Sequence, residues 1–252
     1  MKPYLLQRLK VDFLSDELPT KTQFVVWTHL SSRQRDLYSE YIDAKDSAVA
    51  DVLKGLVASP LEAVTWLKKL CGHPILVSKE RERAGTNLPT SELLRDSSKL
   101  QVLEALVIYL QKNGHRMLIF SQSTKMLDII QRVLKSRVNG LSRIDGSTKE
   151  KDRQRLVDEF NANRSTDVML LSTGAGGEGL TLTGADVAIV YDPSWNPASD
   201  AQAVDRCYRL GQEKNVTVYR LITAGTVEEK VSRSIVCKFA LQHDVSRIFL
   251  WL

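Results

Sequence analysis

Apolar and polar positions run along this chain in two rhythms. Short runs rich in β-branched or apolar residues predict strands at Phe24 to Leu30, Arg116 to Phe120, Leu141 to Ile144, Asp167 to Leu171, Asp186 to Tyr191 and Val216 to Ile222. Between them lie segments that open on helix caps. Ser31-Ser32-Arg33-Gln34 is a capping-box signal, and Ser59-Pro60-Leu61-Glu62 places proline at the first helical position. The second of these helices runs through Trp66 to Cys71 and stops at Gly72 and Pro74. Ser98-Lys99-Leu100-Gln101 caps a helix to about Lys112, closed by Asn113-Gly114; Ser123 to Ser136 reads as helix; Ser147-Thr148-Lys149-Glu150 caps one to about Asn161. Thr226-Val227-Glu228-Glu229 caps a last helix bearing Lys230, Arg233 and Lys238. Strands alternating with helices from Ser98 onward predict βαβ crossovers, hence an α/β fold with a mostly parallel sheet flanked by helices. Such sheets bind ligands at the carboxyl ends of their strands, where the candidate motifs are expected to fall. Ser78 to Asp96 is charged and broken by Gly85, Asn87 and Pro89, which predicts a surface linker between an N-terminal helical subdomain and the main body.

Composition narrows this picture only a little. The chain has 252 residues, 43% of them hydrophobic and 26% charged, as a globular protein of one good domain or two small ones would. The net charge of +5 permits a polyanionic partner without requiring one. Three widely spaced cysteines, with no secretory leader in view, predict reduced thiols and an intracellular setting. Cys71 and His73 form a Cys-x-His pair with no second pair near it, so no metal site is predicted. No apolar run approaches the ~20 residues of a membrane span.

The densest chemistry lies in Gln202 to Gln212, which reads Gln-Ala-Val-Asp-Arg-Cys-Tyr-Arg-Leu-Gly-Gln. On a helix, Ala201, Val204 and Tyr208 form an apolar stripe for the core. Gln202, Arg206 and Arg209 form a second stripe about 100° round, predicted to project together into a cleft before Gly211 stops the helix. Two guanidiniums with an amide beside them suit a polyphosphate; a solvated basic face is the plain alternative. Ser121 and Gln122 end a strand with groups able to hold a backbone phosphate, although capping the next helix explains the serine equally well. Gly146 lets the backbone approach a ligand, and Ser147 opens a helix, where free amides attract anions; a turn with an N-cap is again the alternative. Ser172 to Leu180 carries Gly174, Gly176, Gly177 and Gly179 but no Gly-Lys-(Ser/Thr), so it is either a ligand-approaching loop or a flexible connection, and not a Walker A loop. Trp195, between prolines, reads as a packing peg or as a coupling element.

The full pattern Gln-x-x-x-Arg-x-x-Arg-x-Gly-Gln closely resembles motif VI of the SWI/SNF-type ATPases, the DNA-translocating branch of the superfamily-two helicase-like enzymes. Met117 to Gln122 resembles motif IV, Arg143 to Thr148 motif IVa, and Ser172 to Leu180 motif V. Asp192-Pro193-Ser194-Trp195-Asn196-Pro197 resembles the family's lead into motif VI, and Leu67 to Pro74 its Leu-Arg-x-x-Cys-x-His-Pro signature. Leu6 to Phe13 is similar to the interlobe connector, with Gln7 where the family has arginine, and Thr226 to Glu229 is similar to its brace. Gly174 replaces a larger residue, and the tail from Gln242 departs from the pattern.

The resemblance implies a RecA-like second lobe, of a Cockayne-syndrome-B or PICH-like subgroup, divided into connector 1–23, helical subdomain 24–77, linker 78–97, lobe 98–225 and brace with tail 226–252. It implies Arg206 and Arg209 as arginine fingers on ATP held by another lobe. Gly176, Gly177, Gly179 and Gln202 would face the nucleotide, with Ser121, Gln122, Gly146, Ser147 and Thr173 on DNA and Trp195 coupling the two. Glu178 receives no role. The implied partners are double-stranded DNA, with nucleosomes a further candidate, and a first lobe; no membrane is implied, and a eukaryotic protein of this kind would be nuclear. The implied cofactor is ATP with magnesium, whose ligands, like the absent Walker A and Asp-Glu-x-His runs, are expected in the first lobe. The chain is therefore expected to be a fragment or shortened product, inactive alone. A strand-separating helicase lobe and a non-catalytic DNA-binding or partner-docking piece are the alternatives.

Overall fold

The computed structural model describes residues 18–53, 60–78, 88–162, 165–174 and 179–232. Its centre is a sheet of six strands: β1 (Lys21–Thr28), β2 (Met117–Ser121), β3 (Leu141–Ile144), β4 (Val168–Ser172), β5 (Val187–Val190) and β6 (Val216–Thr223). They lie in the order β1-β6-β5-β2-β4-β3, and every pair is parallel. Strands β2, β4 and β5 are buried throughout because both faces are covered. Their side chains alternate between two cores. Met117, Ile119, Val168, Leu170, Val187 and Ile189 meet one layer of helices. Leu118, Phe120, Met169, Leu171, Ala188 and Val190 meet the other.

The helices are α1 (Ser32–Leu53), α2 (Pro60–Gly72), α3 (Thr90–Asp96), α4 (Ser98–Lys112), α5 (Thr124–Leu134), α6 (Glu150–Ala162) and α7 (Pro197–Val204). Leu100, Leu103, Val107 and Leu110 of α4 pack on the first face with Met126, Ile130 and Val133 of α5. Val157 and Phe160 of α6 pack on the second with Ala203 and Val204 of α7. Among the described residues no helix is long and apolar enough to cross a membrane.

The cap signals are realised in detail. Ser31 Oγ accepts from Gln34 N at 3.2 Å while Ser31 N donates to Gln34 Oε1 at 3.1 Å, the reciprocal pair of a capping box. Helix α4 is capped one residue earlier than expected, by Ser97, whose Oγ accepts from Leu100 N. It closes at Asn113 and Gly114, the glycine at φ +76°. His73 is a cap as well: its Nδ1 accepts from Ile75 N, which leaves Nε2 to donate to Leu93 O at 2.9 Å.

Residues 24–28, expected in the helical subdomain, lie in β1, an edge strand of the sheet, paired along β6 from Lys21↔Val216 to Thr28↔Thr223. The segment 78–97 is not simply a linker, since it contains α3, whose Leu93 is buried in the main core. The helices 32–96 are bonded into the body through the C-terminal carbonyls of α2, which an isolated helix leaves without partners. Gln34 Nε2 donates to Leu70 O and Cys71 O, and Gly72 O accepts from Ser97 Oγ and Tyr191 Oη, both at 2.9 Å. The connector 1–17, the glycines at 176 and 177, and the tail from 233 lie outside the described residues.

Lys99 and Glu228 form an ion pair of 2.5 Å with side chains 1% and 0% exposed. Glu228 Oε2 also accepts from Thr223 N, and Lys99 Nζ reaches Tyr191 O. Removing one partner strands the other charge in the core. Glu228→Ala is therefore expected to lower unfolding stability by about 3–5 kcal/mol in a urea titration, and the joint replacement Lys99→Met with Glu228→Leu to cost markedly less.

Candidate functional site

Because all six strands are parallel, their carboxyl ends share one edge of the sheet. The chain leaves β2 for α5 on one face and β5 for α7 on the other, so a crevice opens between these neighbours. Asp192 bridges it. Its Oδ1 accepts from Gln122 N and its Oδ2 from Ser121 Oγ, both at 2.9 Å, and its carbonyl accepts from Gln122 Nε2 at 3.0 Å. Ser121, expected as a DNA contact, is 1% exposed and supports the Asp192 bridge from within, whereas Gln122 is exposed.

Thr173 follows β4 on the same edge, and its N donates to Ser121 O at 3.0 Å. Its Oγ1 is covered and has no hydrogen-bond partner among the described residues. After β3, Gly146 and Ser147 are exposed on a loop set by Asp145. Asp145 Oδ1 accepts from Ser147 N and Oγ, while Arg143 binds its Oδ2 at 2.7 Å and reaches Asp128 at 2.5 Å on α5. The Ser147 hydroxyl holds the Asp145 carboxyl below its ordinary range, so this charge is fixed at neutral pH.

Trp195 stands 44% exposed beyond Asp192. Lys68, from α2, lies 5.0 Å from the centre of its ring and donates to Pro193 O at 2.7 Å. Burial lowers the Lys68 pKa, the sign of a partly dehydrated ammonium. Nothing in the sequence pairs Lys68 with a loop 125 residues away.

The arginine stretch departs from its expected form. Helix α7 ends at Val204, so no helical stripe runs on to Arg209. The i→i−4 ladder gives way to tighter turns here: Arg206 N donates to Ala203 O at 3.3 Å and Cys207 N to Val204 O at 3.1 Å, while Arg206 O accepts from Leu182 N and Cys207 O from Gln212 Nε2, both at 3.0 Å. The chain instead turns through Asp205 to Gly211, the glycine at φ +93°. Ala203 and Cys207 join Val204 in the core, while Ala201 and Tyr208 are only half-buried. Gln202 and Arg209 are exposed, but Arg206 is turned in, 5% exposed, with its Nε covered and without a hydrogen-bond partner among the described residues. Burial and the neighbouring Arg209 lower the Arg206 pKa, in that order. Arg209 Nη1 donates to Gly179 O at 3.0 Å and to Thr181 Oγ1 at 3.2 Å, at the end of the glycine loop. The arginines do not sit at the carboxyl edge itself: they lie on the stretch that carries the chain from β5 back to the start of β6. Among the described residues no cluster of three or more His, Cys, Asp or Glu side chains is placed to hold a metal ion.

A family model described as "Helicase conserved C-terminal domain" matches residues 98–211, and one described as "SNF2-related domain" matches residues 1–76. The chain is similar to the DNA excision repair protein ERCC-6-like of Danio rerio, 44% identical over 251 aligned positions covering 89% of this chain and 17% of that protein. It is similar also to Protein CHROMATIN REMODELING 24 of Arabidopsis thaliana, 40% identical over 274 positions covering 96% of this chain and 25% of that protein. The chain thus spans about a fifth of the length of these relatives. The crystal structure of the C-terminal part of the Fun30 ATPase domain matches it at a TM-score of 0.75 and 26% identity, over 86% of this chain and 89% of that one.

The Asp192 bridge makes a prediction of its own. Burial pushes its carboxyl up to about 6, against the hydrogen bonds from Gln122 and Ser121 and the charges of Lys99 and Lys68. The folded state then holds a proton that the unfolded carboxyl releases near its ordinary value of 3.8. Between those pH values the native state binds more protons, so this group's contribution falls as pH rises through the window and is flat beyond it. The loss amounts to about 3 kcal/mol. Asp192→Asn, which keeps an acceptor for Gln122 N, is expected to remove that slope in urea titrations at pH values spanning the window.

Proposed function

This chain belongs to the SNF2-related, helicase-C-terminal family and has its RecA-like fold, and from that premise we propose that it is the second lobe of an ATP-dependent double-stranded DNA translocase. The observation that supports this reading is the arginine turn: Arg209 rests on the end of the glycine loop beside the buried Arg206, whose Nε has no partner among the described residues. Guanidiniums on this face suit phosphate oxygens and not a cation. The magnesium that accompanies ATP is accordingly assigned to the other lobe, as is the phosphate cradle.

In this reading ATP draws two lobes together over the duplex. Arg209 reaches the β- and γ-phosphates, Arg206 turns out of its buried position to join it, and the two stabilise the charge of the transition state, with Gln202 and the backbone at 176, 177 and 179 lining the nucleotide. Gln122, Gly146, Ser147 and Thr173 contact the DNA backbone at the carboxyl edge, with Ser121 acting through Asp192. Such contacts grip without reading sequence. Trp195, held from α2 by Lys68, links the two sites. Nucleosomal DNA is a natural substrate for such a grip, and the nucleus its place in a eukaryotic cell.

Joined to a first lobe, Arg209→Ala is expected to reduce DNA-stimulated ATP hydrolysis by about 10³–10⁵, the range of an arginine finger, while duplex binding in a gel-shift titration survives. Near-normal turnover in that variant overturns the assignment.

A further inference from the structure

The glycine loop and the arginine turn are sewn together along a continuous seam. Leu182 N donates to Arg206 O at 3.0 Å. Gln212, 5% exposed, donates from Nε2 to Thr183 O at 3.2 Å and to Ala185 O at 2.7 Å, and across its own turn to Cys207 O at 3.0 Å. The Arg209 guanidinium adds the outer stitches, to Gly179 O and Thr181 Oγ1. Backbone groups make most of this seam. Among the described residues the side chains of Gln212, Thr181 and Arg209 take part in it, and the Thr181 hydroxyl is the side-chain acceptor for the Arg209 guanidinium.

We infer that Thr181 is a positioning residue for Arg209: its hydroxyl fixes where the guanidinium points, and so ties the placement of the arginine to the state of the glycine loop. This deepens the reading above and rests on it. An exposed arginine is a long, freely rotating side chain, with up to about 2 kcal/mol of rotamer entropy to lose on being held. One carbonyl acceptor leaves the guanidinium plane free to swing about that bond. A second acceptor, on a β-branched residue with a restricted χ1, removes the swing. Repulsion from the buried Arg206 acts on the same group from behind, so without the hydroxyl Arg209 is pushed outward into water.

Valine keeps the branching of Thr181 and deletes only the hydroxyl; serine keeps the hydroxyl and deletes the methyl. In a protein with both lobes, Thr181→Val is expected to lower kcat for DNA-stimulated ATP hydrolysis about tenfold, the scale of one hydrogen bond to a charged group, with KM for ATP and duplex affinity little changed. Thr181→Ser is expected to restore most of the rate. On an Arg209→Ala background the valine is expected to add nothing, because the group it aims is gone. An unchanged kcat in Thr181→Val, or an equal further drop on the Arg209→Ala background, overturns the inference. The contact is also read in this chain alone, without nucleotide: Thr181→Val and Arg209→Ala should each speed exchange of the Leu182 amide hydrogen, and unaltered exchange overturns the positioning role whatever the ATPase does. Near-normal turnover in Arg209→Ala alone instead overturns the arginine-finger assignment, while the Leu182 exchange reports the contact itself, so the two failures are distinct.

Discussion

A lysine ammonium and a glutamate carboxylate with no water around either must answer each other, and the rest of this molecule is arranged about that requirement. Lys99 opens α4, and Glu228 follows β6 by five residues. Their 2.5 Å contact draws the start of a core helix, the end of the last strand and the helical residues 227–232 to one point. Tyr191, at the end of β5, offers its carbonyl to Lys99 and its ring to the same ammonium at 5.5 Å. Its hydroxyl then reaches Gly72 O at the end of α2. A single buried charge pair thus anchors the strand ends from which the site loops spring, and also the helical insertion that carries Lys68. Such a pair adds little net stability over an apolar one, but it tolerates no other geometry.

The fold was open to reading because its signals are local. Capping serines, a proline at the first helical turn and glycines past the last one mark ends by chemistry within four residues, and buried strands announce themselves as short apolar runs. Where reading fell short, a distant partner had decided. Ser97 rather than Ser98 caps α4, because Ser97 also serves Gly72 O across the core. β1 joined the sheet rather than the helices that follow it, since its partner β6 stands 195 residues away in register. The charged segment 78–97 contains a helix because Leu93 finds a core that its neighbours in sequence do not reveal.

The site was legible in its residue types and misread in its shape. Motif spacing marked Gln202, Arg206 and Arg209, but helical periodicity carried the helix too far. Past Val204 the amides of Arg206 and Cys207 bond three residues back instead of four, and bonds from Leu182 and Gln212 hold the turn that results. That turn buries Arg206 and sends Arg209 to Gly179 and Thr181. Asp192 lay within a quoted motif, yet its place as the bridge between the loops after β2 and β5 depends on those strands being neighbours, a matter of topology. Lys68 left no trace at all, since neither its charge nor its spacing points to Trp195.

The parallel pairing of β1 with β6 has a consequence for how such a protein is made. On a ribosome, β1 emerges first of the six described strands and β6, its neighbour among them, last, after Lys21 has waited for Val216. At about 5–20 residues per second, that interval is on the order of ten to forty seconds. For that time an apolar strand with an unpaired edge is held in the open, within reach of other nascent chains. The sheet therefore closes only once β6 has emerged, and until then the nascent segment is a natural client for chaperones that shield extended apolar chain.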